Sequence, residues 1–303
     1  ATTGRRYDYI QHAINAASAG DHIVADKEVY QESIDFKGKG VKVSSRDPGD
    51  RAVVAGAIIR GAGSAVTFAS GETGACVVAG FTIEGSERGV YCYGASPAIT
   101  NCIIAECGGP GVELFKSSRP EIANCRIAGN GGCGIRTWTY PGPRGPLYNY
   151  PTITNCVIAE NQQEGIFGGI PTINNCTIVG NLAGGVNCYR PIVTNSIIYY
   201  NGEDSDGPQI ISSNAAVTYS NVQGSWPGLG NIDVDPCFVD VGHWDTNGTP
   251  DDLEDDFWVD SDCHLKSRGW RWDTSRKTWT WDAVTSRCID AGNPGSPLGD
   301  EPL

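Results

Sequence analysis

The chain has 303 residues, among them 40 glycines and 17 prolines, with only 19% charged residues and a formal charge of −13. That composition argues against a helical bundle, whose surface needs many Lys, Glu and Arg, and favours a turn-rich β protein. The acidic balance argues against nucleic acid or an anionic membrane as partner, because both need clustered cations, and suits calcium or a neutral surface better.

No run approaches the roughly 18 apolar residues of a membrane span. Methionine is absent and the chain starts at Ala1, which reads as a processed or trimmed form from which a secretion signal has been removed. In the first segment, "YDYIQHAINAASAGD", Tyr7, Ile10, Ile14 and Ala17 recur at helical spacing and Gly20 gives a stop signal. The spacing predicts a short helix over about 7–18, capping the first coil. "DHIVADKEVYQESIDFKGKGVKVSS" then begins the strands.

The body is built on a recurring phrase: "PAITNCII" at 97, "PEIANCRI" at 120, "PTITNCVI" at 151, "PTINNCTI" at 171 and "PIVTNSII" at 191. A fixed period near 20 residues indicates a solenoid, and degenerate copies at 76 ("CVVAGFTI") and 216 ("AVTYSNV") extend it over most of the chain. A second phrase alternates with the first: "GVYCY" at 89, "GVELF" at 111, "GIRTW" at 134, "GIFGG" at 165 and "GVNCY" at 185. Each repeat therefore offers two or three short strands, as in one coil of a parallel β-helix. At about 4.8 Å between coils, roughly nine coils give a rod on the order of 45 Å long.

Within P-x-I-x-N-C-x-I the chain must bend at the asparagine, because apolar residues on both sides of it cannot share one face of a straight strand. Asn101, Asn124, Asn155, Asn175 and Asn195 are expected to stack as a ladder of left-handed turns. Cys102, Cys125, Cys156 and Cys176 then point inward as free, small hydrophobes. No CxxC occurs, which removes the usual zinc spacing. Cys237, Cys263 and Cys288 are irregular, and a bridge among them is left open.

If Val90, Val112, Ile135, Ile166 and Val186 face inward, alternation turns Tyr91, Glu113, Arg136, Phe167 and Asn187 outward, with Tyr93, Phe115, Trp138 and Tyr189 beside them. "TYPGPRGPLYNY" (139–150) is an inserted loop next to this strip. The strip reads as a binding or assembly surface, as plain strand chemistry, or as a site in which Tyr91, Arg136 or Lys116 acts as base alongside Glu113.

Sixteen aspartates lie from Asp204 onward. Asp245, Asn247, Asp251, Asp252, Asp255 and Asp256 supply closely spaced oxygens suited to structural Ca2+, with a solvated acidic loop as the alternative. In "GWRWDTSRKTWTWD", period 2 sets Trp270 and Trp272 on one face and Trp279 and Trp281 on one face, so 270–281 reads as a hairpin carrying four indoles. These are expected either to close the C-terminal end of the rod or to dock on a neighbour or a glycan.

"IQHAINAASAGDHIVADKEVYQESI" resembles the opening of right-handed parallel β-helix proteins of the pectin-lyase-like superfamily, and "CHLKSRG…SRCIDAGNP" resembles the ending of secreted bacterial members of that group. The resemblance covers essentially the whole chain and implies further sequence after "GDEPL". Enzymes of the superfamily place aspartates, with calcium and an arginine in lyases, on the outer face of one sheet. Here no aspartate occurs between Asp50 and Asp204, and His12, His22, His243 and His264 all lie outside that stretch.

The expected architecture is an all-β, single-domain, right-handed parallel β-helix (solenoid) over 1–230 with an N-terminal capping helix. An irregular, acidic, Trp-rich C-terminal cap over 231–303 packs on the same solenoid. The expected function is a secreted, non-catalytic, calcium-stabilised extracellular building block that associates with copies of itself or adheres to a surface. The alternative is a polysaccharide lyase or glycan-binding protein that uses the outward strip.

Overall fold

In the computed structural model, residues 4–143, 145–203, 207–212, 214–245, 257–259, 262–273 and 276–296 are described, with backbone alone at 243–245 and 257–259. The repeating phrases fold as expected into a parallel β-solenoid of about nine coils. Sheet A has nine strands, from His22–Ala25 to Ala216–Thr218, and sheet B nine, from Val29–Tyr30 to Asn221–Val222. Sheet C has eight, from Ile34–Asp35 to Ile210–Ile211. Each coil visits A, B and C in turn.

Register follows the repeat. Ile99, Ile122, Ile153, Ile173 and Val193 align across sheet A, and all five are fully buried. Ile104, Ile127, Ile158, Ile178 and Ile198 do the same in sheet B. Val90, Val112, Ile135, Ile166 and Val186 do so in sheet C. Stacked aliphatic columns of this kind contribute about 1.5–3 kcal/mol per side chain before entropy is subtracted.

The bend between sheets A and B lies at the predicted asparagines, whose φ angles are 53° to 55° at Asn101, Asn124, Asn155, Asn175 and Asn195. Asparagine tolerates this left-handed region better than other residues with a Cβ. Gly80 and Tyr219 hold the equivalent place in the flanking coils, also at positive φ. Asn155 donates its amide to Asn124 Oδ1 (3.2 Å) and Asn175 donates to Asn155 Oδ1 (2.8 Å). Asn195 turns to Asn174 Oδ1 (3.1 Å) instead of Asn175.

Behind each turn Cys102, Cys125, Cys156 and Cys176 are buried, and each thiol donates to the carbonyl two residues before it, at 3.2 to 3.3 Å. None of the twelve cysteines, Cys237, Cys263 and Cys288 included, forms a disulfide.

A second, fully buried amide column was not foreseen. Asn130, Asn161, Asn181 and Asn201 stand six residues after the turn asparagines and have no exposed surface. Each donates Nδ2 to the Oδ1 of the next, from Asn130 to Asn161 (2.9 Å), to Asn181 (2.8 Å) and to Asn201 (2.8 Å). Gln209 accepts at the end of the row (2.8 Å). At the other end Cys107 occupies the equivalent place and donates its backbone N–H to Asn130 Oδ1 (3.1 Å). The same amides also reach Ile104, Ile127, Ile158 and Ile178 carbonyls.

This column explains the glycines that open the second phrases at 111, 134, 165 and 185, whereas Gly89 faces Cys107 in its place. A Cβ on Gly134 would lie 2.9 Å from Asn161 Nδ2 and 2.6 Å from Ile158 Cγ2. On Gly165 it would lie 2.9 Å from Asn181 Nδ2 and 2.8 Å from Ile178 Cγ2. No side chain fits between the sheet C backbone and the amide column.

The N-terminal helix runs Ile10–Ala16, shorter than the 7–18 expected. Tyr7 lies outside it and is exposed, whereas Ile10, Ala13 and Ile14 are buried against the first coil. Its ends are held from the solenoid. Glu32 accepts from the N–H groups of Ile10 (2.6 Å) and Gln11 (2.9 Å), and Lys39 Nζ donates to the carbonyls of Ile14, Asn15 and Ala17. Carboxylate at the N-terminus and ammonium at the C-terminus match the helix dipole.

The opposite end differs from expectation. Residues 223–232 cover it, with Leu229 O accepting from Tyr219 N (2.8 Å), Ile232 N donating to Ser220 O (2.9 Å) and Trp226 packed on the core. Described residues between 233 and 296 then lie back along the flank of sheet B as a strap. Phe238 and Leu265 pack on Ala128, Ala159 and Val179, outward residues small enough to admit them. Tyr199 and Tyr200 donate to Asp233 (3.3 Å) and Asp235 (3.0 Å), and Asn293 N donates to Asn195 Oδ1 (2.8 Å).

Asn181→Ala is expected to lower stability by about 2–4 kcal/mol, because Asn161 loses a buried acceptor and Asn201 a donor, whereas Asn155→Gly at the exposed ladder, which leaves the left-handed turn unstrained, should cost under about 1 kcal/mol. Urea denaturation of the three proteins checks this. A second expectation concerns the strap. Burial, with Asp233 beside it, pushes the Tyr199 phenol up to about 12, and burial with Asp235 raises Tyr200 too. The folded protein thus retains protons that an unfolded tyrosine loses near pH ~10. The contribution of these phenols is complete below that pH and lost as pH rises toward about 12. Limited proteolysis within 233–296 should accelerate over that interval in wild type and show a flatter dependence in Tyr199→Phe/Tyr200→Phe.

Candidate functional site

Parallel register places Thr67, Tyr91, Glu113, Arg136, Phe167 and Asn187 in one row across the outer face of sheet C. The second row begins with Tyr93 beside Phe115 and continues at Trp138, whose N–H donates to Leu114 O (3.0 Å). The alternation read from the sequence therefore holds: the intervening residues Val90, Cys92, Val112, Leu114 and Ile135 are buried.

Glu113 is the centre of the strip and only 6% exposed. One carboxylate oxygen accepts from Trp138 Nε1 (2.8 Å) and the other from Arg88 Nη1 (3.3 Å). Phe115 lies between Tyr91 (5.5 Å) and Trp138 (5.9 Å, stacked), with Tyr140 of the inserted loop at 6.2 Å. Cations rest on the rings: Arg88 over Tyr91 (5.2 Å), Lys116 over Tyr93 (4.9 Å) and Arg136 over Trp138 (4.3 Å). Burial raises the Tyr91 phenol, so its proton is held at neutral pH.

The insertion at 139–150 forms a small hairpin, Tyr140–Gly142 with Gly145–Leu147. Its base is fixed by buried Asn149, whose Nδ2 donates to Leu114 O (3.2 Å) and Trp138 O (2.8 Å) while Oδ1 accepts from Ser118 N (2.8 Å). Tyr148 stacks flat on Tyr189 (4.9 Å, 2°), which carries Arg190 at 5.3 Å, and Arg119 lies over Tyr150 at 4.4 Å.

Of the residues expected to act together, Tyr91, Tyr93, Glu113, Phe115, Arg136 and Trp138 do meet. Phe167 follows Arg136 one strand further on, and Tyr189 stands with the loop. Trp270, Trp272, Trp279 and Trp281 belong to a separate hairpin, Gly269–Asp273 paired with Thr278–Asp282. They do not close the rod: their exposures are 66%, 48%, 61% and 48%, since Trp226 already covers that end. Asp245 is described by its backbone only, and Asn247, Asp251, Asp252, Asp255 and Asp256 lie outside the described residues. Among the described residues no group of three or more His, Cys, Asp or Glu is arranged around a common point.

Arg88, Tyr140, Tyr148, Asn149, Arg119, Tyr150 and Arg190 were not singled out from the sequence. Arg88 was hidden by Gly89, where the close approach of the backbone to Ile104 Cγ2 breaks the alternation. The loop tyrosines had a signal, three of them within twelve residues of an insertion.

A groove of about 580 Å³ lies elsewhere, between the strap and the turn residues Asn155, Asn175 and Asn195, with Asp290 and Asn293 on its far wall.

The family described as right handed beta helix region matches residues 9–143 and 40–170. No curated protein matches the chain in sequence. Among solved structures, an alginate lyase from Paenibacillus sp. str. FPU-7 is similar at 17% identity and TM-score 0.45, over 73% of this chain and 91% of that one. The pectate lyase Pel9A is similar at 16% identity and TM-score 0.42, over 76% and 77%. A pectin methylesterase is similar at 14% identity and TM-score 0.36, over 86% and 83%. At these values the likeness is one of fold.

Glu113→Ala should destabilise by about 1–2 kcal/mol, because the Arg88 guanidinium and the Trp138 indole N–H lose their acceptor but both side chains are partly open to water. Glu113→Gln, which keeps an oxygen for Trp138, should cost less. Chemical denaturation followed by tryptophan fluorescence measures both.

Proposed function

The chain belongs to the right-handed β-helix family, and from that premise we propose that it is an extracellular protein binding an acidic polysaccharide along the outer face of sheet C. The observation that carries this reading is the pairing of cations with rings. Lys116, Arg119, Arg136 and Arg190 each lie 4.3 to 5.3 Å from an aromatic centroid. None of the four has a carboxylate partner among the described residues, in a chain whose formal charge is −13. Arg136 Nε is buried without a hydrogen-bond partner. A ring supports the flat face of a sugar while the adjoining cation meets its carboxylate, so each pair suits one acidic residue of a polymer.

Binding fits the strip better than catalysis does. A general base must have a free lone pair at the working pH. Glu113 is only 6% exposed and both of its oxygens already accept hydrogen bonds from Arg88 and Trp138, so little of its carboxylate is open to a substrate, and the Tyr91 phenol is raised by burial. The reading as a calcium-stabilised building block finds its support in the acid-rich composition alone.

Affinity electrophoresis through gels containing polygalacturonate or alginate tests the proposal. Retardation is expected, decreasing with added salt as exposed charges are screened. Arg136→Ala should weaken binding at least tenfold. Migration unchanged by every acidic polymer at low ionic strength would sink the proposal. So would an unsaturated product whose release Arg136→Ala abolishes, which would make the strip an elimination site.

A further inference from the structure

The tryptophan hairpin has its polarity reversed. By alternation Trp270, Trp272, Trp279 and Trp281 share one face, which is exposed, whereas Asp273 (8%) and Asp282 (5%) on the other are buried. Arg271 bridges these acids, its Nε donating to both oxygens of Asp282 (3.1 and 3.0 Å) and its Nη1 lying 3.7 Å from Asp273. Arg276 adds a backbone N–H to Asp273 Oδ1 (2.8 Å). A hairpin optimised for its own burial would turn the indoles in and the ions out. Here a bridged ion cluster fixes the backbone and holds the rings in solvent.

The rings form two cross-strand pairs, Trp270 with Trp281 (5.4 Å, 72°) and Trp272 with Trp279 (5.8 Å, 72°). Edge-to-face pairing stabilises the hairpin by about 0.5–1.5 kcal/mol per pair. That accounts for the pairing, and leaves about half of each indole uncovered.

We propose that this face is a stacking platform for an uncharged saccharide, separate from the cationic strip and independent of the strip's own ligand. Two observations select that occupant. First, the patch is small. With about 150–250 Å² per indole and half to two-thirds of each exposed, it offers roughly 300–550 Å². A stable protein interface takes about 800 Å² from each partner, so a second copy of the chain is poorly served. Second, no cation rests on these rings among the described residues. The strip rings Tyr91, Tyr93, Trp138 and Tyr189 each carry a cation within 5.3 Å, whereas no indole of the hairpin does among the described residues. A carboxylated polymer would find no cation on these rings, while the C–H faces of a neutral pyranose match bare indole.

The test is native affinity electrophoresis in gels containing hydroxyethylcellulose, xyloglucan, galactomannan or β-glucan, with polygalacturonate as the charged comparison. Wild type should be retarded by at least one neutral polymer, with little effect of salt. Trp270→Thr/Trp281→Thr and Trp272→Thr/Trp279→Thr should each weaken that binding tenfold or more, and Arg136→Ala should leave it unchanged. Because these pairs also brace the hairpin, single Trp270→Tyr and Trp279→Tyr variants, which keep a ring, should retain most of the binding and verify that the fold persists. Free migration in all four neutral gels overturns the proposal, as does retardation indifferent to the double variants. A wild-type dimer in light scattering that the same variants dissolve would assign the face to self-association instead. None of these results depends on whether the strip binds acidic polymer.

Discussion

The buried amide column is the constraint on which the remaining structure depends. Asn130, Asn161 and Asn181 each accept from the coil before and donate to the coil after, and Asn201 accepts from Asn181 and donates to Gln209 of its own coil. A chain of like dipoles in a low-dielectric interior reinforces itself, and an interrupted one leaves a costly unpaired group. The column therefore fixes coil-to-coil register where aliphatic packing alone would tolerate slippage. It also dictates the glycine in four of the five second phrases, at 111, 134, 165 and 185, and so sets where sheet C begins in those coils and which of its residues face outward.

The candidate site inherits its geometry from that register. Tyr91, Glu113 and Arg136 are adjacent because Val90, Val112 and Ile135 are. Functional groups carried on a stack of parallel strands are spaced by the backbone, with no loop to adjust them. The inserted hairpin departs from this only at its tip, because Asn149 ties its base to the carbonyls of Leu114 and Trp138. A rigid, evenly spaced array of rings and cations suits a repeating polymer, whose own groups recur at fixed intervals.

Most of the solenoid was legible in the sequence because one residue type does one job per coil: Asn for the left-handed turn, Cys for the tight inward place, Ile for the columns. The buried amides were written with the same steps, 31, 20 and 20, as the prolines at 120, 151, 171 and 191. They escaped notice because asparagine ordinarily marks a surface turn, and nothing local distinguishes Asn181 from Asn175. The strip was legible wherever alternation held and was lost at Arg88, where a glycine shifts the phase. The course of the C-terminal segment was not legible at all. Its docking depends on Ala128, Ala159 and Val179 being small on the outside of sheet B, a property of three separate repeats that no neighbouring residue announces.

That strap alters how the rod comes apart. A solenoid whose coils touch only their neighbours unzips from its ends, each coil leaving as an independent step. Here one covalently continuous segment contacts sheet B from Ala128 to Asn221, so the terminal coils cannot fray until it has peeled away. The last five coils are thereby clamped into a single cooperative block, and the weakest point for opening moves to the other end, where a seven-residue helix held by Glu32 and Lys39 is the whole of the lock.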